Sequence, residues 1–506
     1  MFSLTRGWLI LPIAAGMAWG CGGERLTTSS DPPTEEYAGK PLSKLAVDGN
    51  VTSSVAIVRL RQDQSPVNSA VVAFSRSVSG RGASYEWAGT TDGRGQARVA
   101  LEGTQTGGYY RAQARREGVL IGSWSSIPIN GGFQVTVELP VGEKARVTGA
   151  TVLTPGGLPA EIPIGVVAPL TVRQTQYGAG IESGLALALD EINGTTMLGG
   201  ASIVFRTEDS RGMAQGAVDA FNKLIFHDYV PVILGPALST EAREAFPVAQ
   251  RNQVVAFSTT SAASGLSAIG DFIFRASLSV DVLIPGGVSL TREKLRFGRV
   301  ALMVDSTDVF SRSSDDALQS ALSEEGVEIM TRETFGTDDT SFVAQLARIR
   351  DLNPHAVFVS ALSRQRVQSL VQGRREGIPG NIPFIVPGLT QDEIRDAGDA
   401  AEGAIAITGW TAAATTPGNQ AFVENYRSKF GGAPNRWAAQ SYAALYVLSE
   451  AIAKAGSTDP PAIRDAMAGI ANLDTVLGRF SFDRNGDAVY DPIVLVVRNG
   501  RFEVYE

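Results

Sequence analysis

Cysteine is almost missing from these 506 residues: Cys21 stands alone. One thiol closes no intramolecular disulfide and builds no multi-cysteine metal site. Histidine is nearly as scarce, with His227 at the end of a predicted helix and His355 just before a predicted strand. Neither has neighbours at metal-ligand spacing, so no resident metal and no cofactor is expected. Positive charge is not in excess: 44 Lys and Arg face 52 Asp and Glu, a net charge of −8. A nucleic-acid reader needs a basic surface, so that partner class is disfavoured. Beyond the N-terminus no apolar run reaches the ~18 residues of a spanning helix. No G-x-S-x-G elbow and no evident Ser–His–acid set is present. Catalysis has no visible foothold, and the chain is read as a binding protein, not an enzyme.

The residues that are present begin with an address. Arg6 precedes the apolar stretch Trp8–Trp19, and small residues lead into Cys21. That is the shape of a secretory signal over residues 1–20. Ala18-Trp-Gly-Cys21 resembles a bacterial lipobox, which implies that Cys21 is the lipidated first residue of the mature chain. The expected location is then the bacterial cell envelope, on its periplasmic or outer side, with a lipid anchor holding the protein at a membrane without spanning it. Residues 21–44 are rich in Ser, Thr, Pro and charge and read as a flexible tether.

Residues 45–140 change character. Short β-branched and aromatic runs (Val55–Leu60, Ala70–Phe74, Tyr85–Ala88, Ala97–Leu101, Tyr109–Ala114, Val119–Trp124 and Phe133–Leu139) are separated by turn residues such as Asp92-Gly93. This spacing predicts a small all-β sandwich of about seven antiparallel strands. The piece Gly89–Val99 resembles the repeat of Ig-like and carboxypeptidase-regulatory-like surface modules, which implies a spacer or docking domain. Residues 141–160, with Pro155-Gly-Gly and Pro159, read as a linker.

From residue 161 onward apolar strand runs alternate with amphipathic helices, beginning with Ile162–Val167 and Gly178–Ile192. Such alternation predicts parallel sheets covered on both faces. About 345 residues of it exceed one ordinary core. The fold class expected is therefore α/β, with two doubly wound parallel-sheet lobes joined by a hinge. Gly178, Gly180 and Gly184 lie too far from the strand, and at the wrong spacing, for a dinucleotide turn. They read as packing glycines. Asp483-Arg-Asn-Gly-Asp487 has its glycine at the wrong place for a calcium loop and reads as a β-turn.

Two stretches offer polar chemistry. Gly235-Pro-Ala-Leu-Ser239-Thr240-Glu241 follows a strand and opens a helix, where Ser239 or Thr240 is expected as a cap and an anionic ligand group can settle. Phe257–Ser264 ends the next strand with five hydroxyls. Loops after adjacent parallel strands are where ligands bind in open sheets.

Together these residues resemble the substrate-binding proteins of branched-chain amino-acid ABC transporters, a type I periplasmic binding fold. Ile164–Thr171, Tyr177-Gly178 and Ala188–Asn193 carry the first part of the likeness, and Leu234–Ser239 the second. Phe274-Arg275, Asp338-x-Thr340-x-Phe342, Ala397–Gly403 and Phe482–Asp487 follow in order. The resemblance implies lobe one at 161–278 and 411–475, lobe two at 279–410 and 476–506, and capture of a small polar solute, an amino acid or a relative, for an ABC permease. It implies ligand contacts by Tyr177, Ser239, Thr240, Thr260, Ser261 and Phe310. The likeness breaks in lobe two: Val309-Phe310 stands where Tyr-Gly is usual, and Pro387-Gly388 where an acid receives the ammonium group. Ala262 replaces a threonine. Another amino acid, an amide, a urea-like compound or a carboxylate remain open as ligands. A bilobed sensor or surface-interaction lipoprotein is the alternative role.

Overall fold

The structure, a computed structural model, describes residues 54–76, 85–101 and 108–505. The signal segment, Cys21 and the tether at 21–44 lie outside the described residues. Among the described residues no helix is long and apolar enough to cross a membrane.

The first body consists of two sheets. Ser54–Gln62 is central to one, paired with Gln96–Leu101 and Phe133–Pro140; Ala70–Arg76 and Gly108–Arg116 are central to the other. Alternate residues point inward (Val58, Val72, Val99, Ala112, Val137), and one hydrophobic cluster joins both sheets. All seven expected strand positions carry strand. Two features differ from expectation. Ser54–Gln62 runs parallel to Phe133–Pro140, so the body is not purely antiparallel. The presumed linker carries a further strand, Arg146–Val152, paired antiparallel to Phe133–Pro140. Its alternating Val147, Thr148, Ala150 and Thr151 suit a pleated edge, and the breakers at 155–159 come only afterwards.

Lobe one is a five-stranded parallel sheet in the order Ser202–Asp209, Glu161–Ala168, Val232–Leu234, Val255–Ser258, Ile273–Arg275. Lobe two repeats the order with Glu328–Phe335, Arg299–Asp305, Ala356–Ser360, Phe384–Pro387 and Ile405–Thr408, then adds Ile493–Arg498 and Arg501–Val504 antiparallel at one edge. The near-continuous apolar runs of the inner strands are buried on both faces, as parallel sheets require, while the edge strands Ser202–Asp209 and Glu328–Phe335 are partly exposed. The chain crosses between lobes three times: after Arg275, after Thr408 and before Ile493. The last crossing comes later than residue 476. Phe482 packs edge-on against Phe257 and Phe274 of lobe one, and the guanidinium of buried Arg275 pairs with Asp487 at 2.5 Å. These contacts keep the chain on lobe one until about residue 489.

Asp483 Oδ1 accepts from the N–H groups of Asn485 and Asp487, both at 2.8 Å, closing the turn read from the sequence. His355 Nδ1 accepts from Gly298 N at 3.0 Å, and His227 ends helix Ala214–Phe226. Among the described residues no group of three or more His, Cys, Asp or Glu could hold a metal.

The first body meets lobe one through arginines on one sheet face. The Arg59 guanidinium lies 3.4 Å over the Tyr229 ring, and Arg61 donates to the Tyr229 hydroxyl. Buried Arg94, held by Asp92 at 2.7 Å, donates to Val230 O at 3.3 Å. Arg98 donates to Thr458 Oγ1 at 3.3 Å. Residues 229–231 lead into a strand of the lobe-one sheet, so this seam lies at the end of the sheet opposite the loops that follow its strands.

Candidate functional site

Those following loops are where the two lobes face each other. Helix Thr175–Asn193 starts beside the loop after the first strand, and Tyr177 in its first turn is buried. Its ring stacks on Trp437, centroids 4.1 Å apart, at the start of helix Arg436–Ala455. The two helices pack closely because of glycine. A Cβ on Gly184 would lie 2.2 Å from Ala438 O, and one on Gly178 would lie 2.2 Å from Pro169 O. The glycines thus serve packing, of helix on helix at Gly184 and of helix on loop at Gly178.

Helix Ser239–Arg251 opens differently from the expected cap. Leu238 holds the N-cap position, and the buried Glu241 carboxylate accepts from Leu238 N at 3.1 Å. Ser239 and Thr240 are therefore free for other partners. Ser239 Oγ accepts from Ala262 N at 3.2 Å and Ala263 N at 3.1 Å, which leaves its proton to be donated elsewhere. Thr260 Oγ1 donates to Ala237 O at 2.7 Å and keeps acceptor capacity. Ser261 Oγ is buried without a partner.

Thr240 turns away from this group. Its hydroxyl donates to Asp308 Oδ1 of lobe two at 2.9 Å and accepts from Val309 N at 3.2 Å. Asp308 in turn caps helix Val309–Glu324, accepting from Ser311 N at 2.9 Å. That cap starts the helix at Val309 and places Phe310 in its first turn. Burial pushes the Asp308 carboxyl up, against the hydrogen bonds from Ser311 and Thr240.

A small, partly open cavity of about 30 Å³ lies at the crossing of the lobes. Tyr177, Ser239, Thr260, Ser261 and Phe310 line it; Thr240 does not. Arg436, Gln440, Thr408, Gly409 and Tyr490 also line it and were not picked out from the sequence. A signal for two of them was present: Arg436 and Gln440 are four apart at the start of an otherwise apolar helix, hence on one face. Gln440 is buried and its Oε1 has no partner.

Charge is arranged in depth. Arg366, fully buried on helix Ser363–Arg375, pairs with Glu393 at 2.7 Å and donates to Pro387 O at 2.9 Å and Tyr177 Oη at 3.4 Å. Burial would depress its guanidinium, but Glu393 and Tyr177 raise it above the usual value. Glu393 also accepts from Thr390 N at 2.7 Å, so both carboxylate oxygens have partners. Burial raises the Tyr177 phenol, which stays protonated. Arg436 donates to Gly388 O at 3.1 Å, and burial, with Arg366 nearby, brings it down to about 10. It remains a cation at neutral pH.

Two doubly wound lobes, three crossings and a small cavity between facing loops define a two-lobed solute-binding protein. The chain belongs to the periplasmic binding protein family, whose model matches residues 161–500. A Leu/Ile/Val-binding protein of Rhizobium johnstonii is 25% identical over 331 residues, 65% of this chain and 89% of that protein. A leucine-, isoleucine-, valine-, threonine- and alanine-binding protein of Pseudomonas aeruginosa is 24% identical, over 68% of this chain and 89% of that protein. Among solved structures, a leucine-binding protein from Thermotoga maritima superposes with a TM-score of 0.65 at 25% identity, covering 68% of this chain and 98% of that one. A benzoate-bound ABC-transporter solute-binding protein from Rhodopseudomonas palustris (R. palustris) gives 0.63 at 19% identity, covering 68% and 95%, a likeness of fold alone.

Proposed function

We propose that this protein is a lipid-anchored, extracytoplasmic receptor that captures an amino acid or similar small polar solute between its lobes and delivers it to an ABC importer. The observation that carries the reading is the cavity between the lobes, where Ser239, Thr260 and Ser261 of lobe one meet Phe310 of lobe two. Kinship with amino-acid-binding proteins supports the solute class, and the lipobox at Cys21 supports the anchor. A ligand that binds only the folded chain stabilises it, by ~2.7 kcal/mol at 100-fold excess over Kd. Thermal unfolding of the full chain with amino acids, amides and small carboxylates should give an upward shift for at least one class. A well-folded chain that shifts with none would contradict capture. Cys21→Ser should move the protein from the membrane fraction to the soluble fraction of cells; unchanged membrane attachment would remove the lipid anchor from the account.

A second reading is a sensor or surface-interaction lipoprotein with the same capture module. The arginine seam between the first body and lobe one favours it, because a docked extra body offers a surface for a partner other than a permease. A permease-containing membrane that fails to retain the ligand-loaded protein would favour this reading over transport.

A further inference from the structure

The cavity is selective in a way the solute-capture reading alone does not specify. No Asp or Glu is among the residues lining it. Two buried carboxylates stand behind the lining, and both are already bonded: Glu393 by Arg366 and Thr390 N, and Asp308 by Thr240 Oγ1, Ser311 N and Ser311 Oγ. Arg436 is the one ionised side chain in the lining, and among the described residues it makes no ion pair. Arg366 and Glu393 compensate each other, and among the described residues Arg436 is left without an ion-pair partner. Arg436 is held against lobe two by its bond to Gly388 O, and a Cβ on Gly388 would lie 2.7 Å from its Nη2.

The polar groups around it favour the same sign. The Ser239 hydroxyl accepts two backbone N–H bonds, so its proton points to a third partner. The Tyr177 hydroxyl accepts from Arg366 and keeps its own proton to donate. Both are donors into the cavity beside a cation. Apolar side chains such as Leu238, Leu278, Leu283, Phe310 and Leu362 also line it, and the hydroxyls of Ser277, Thr408 and Tyr490 donate to backbone carbonyls. A buried ammonium here would meet Arg436 and find no carboxylate, a costly arrangement. A carboxylate would meet charge-assisted donors.

Resting on the capture reading, we infer that the ligand is a small monocarboxylate with an apolar body and no ammonium group, its carboxylate held by Arg436, Ser239 and Tyr177. Gln440 Oε1 and Ser261 Oγ, both buried and unpartnered, are then acceptors for a hydroxyl or similar donor on the ligand body.

Calorimetric titration of the full chain with matched sets tests this: propanoate, alanine and propanamide; 3-methylbutanoate, valine and 3-methylbutanamide; phenylacetate, phenylglycine and phenylacetamide. In at least one set the carboxylate should bind at least tenfold more tightly than both the amino acid and the amide. Arg436→Gln should cost that carboxylate at least tenfold, and Arg436→Lys less. If Arg436→Gln fails to fold, the wild-type order within each set and Arg436→Lys still decide. An amino acid that binds best in every set that binds overturns this inference and leaves solute capture standing, as does an amide that binds as well as its carboxylate. A folded chain that binds no compound of any set overturns the inference and counts against capture itself.

Discussion

Each wall of the cleft rests on a buried glutamate at the start of a helix. Glu241 of lobe one accepts from Leu238 N, and Glu393 of lobe two accepts from Thr390 N. The surroundings then diverge. Glu393 is paired with buried Arg366, whereas among the described residues no cation pairs with Glu241. Burial pushes the Glu241 carboxyl up to about 7. In front of these acids the walls differ again. Lobe one presents Ser239, Thr260, Ser261 and Tyr177 with hydrogen-bonding capacity to spare; lobe two presents Phe310, Leu362 and the backbone of Gly388. On the capture proposal the difference would assign the roles: lobe one for the polar end of a solute, and lobe two as a mostly apolar cover with an internal ion pair.

The largest effect should come from breaking the stiffened wall. Arg366→Met leaves Glu393 buried without its cation, a loss of about 3–5 kcal/mol of stability by analogy with other buried pairs. The double variant Arg366→Met/Glu393→Gln should recover most of it. Denaturant unfolding of the three proteins measures this, and a single variant as stable as wild type would mean that the pair does not stiffen lobe two.

The lobe-one acid gives the next effect, with its own sign. A carboxyl whose pKa is raised from the ordinary 4.5 to about 7 keeps its proton in the folded chain while the unfolded chain loses it. Stability from this group is thus fullest below 4.5 and falls as pH rises towards 7, in total by about 3 kcal/mol. Glu241→Gln should flatten that slope in unfolding measurements between pH 5 and 8. A slope unchanged by the substitution would place the titrating group elsewhere.

The alternation of strands and helices beyond residue 161 was legible because buried parallel strands and amphipathic helices leave strong periodic patterns. So was the lobe-one wall, since Ser239 and the loop at 258–264 follow adjacent strands. The expected hydroxyl cap was not what formed: Glu241 reaches back to the chain and frees Ser239 and Thr240 for the cleft and the lobe-two contact. Helix Pro460–Ala468 went unread despite Asp459 and two prolines at its start, a recognisable opening. Thr408, Gly409 and Tyr490 could not be placed on the cavity from sequence. They reach it only because the chain crosses the hinge a second and third time, and no local pattern encodes where distant crossings meet. The start of helix Val309–Glu324 was not legible for a simpler reason: Asp308 caps a helix whose opening residues, with Ser311, Ser313 and Ser314 among them, have weak helical propensity.

The division of labour between the walls has one direct measurement. Ser239→Ala and Phe310→Ala should be titrated calorimetrically with whichever compound most raises the melting temperature of the full chain. Ser239→Ala removes a hydrogen bond to the solute's charged end, worth about 1.5–3 kcal/mol, and should lose the corresponding binding enthalpy. Phe310→Ala should weaken binding chiefly through lost apolar contact, with the heat-capacity change on binding less negative. The opposite pattern, with Ser239→Ala indistinguishable from wild type and Phe310→Ala losing the binding enthalpy, would contradict the account.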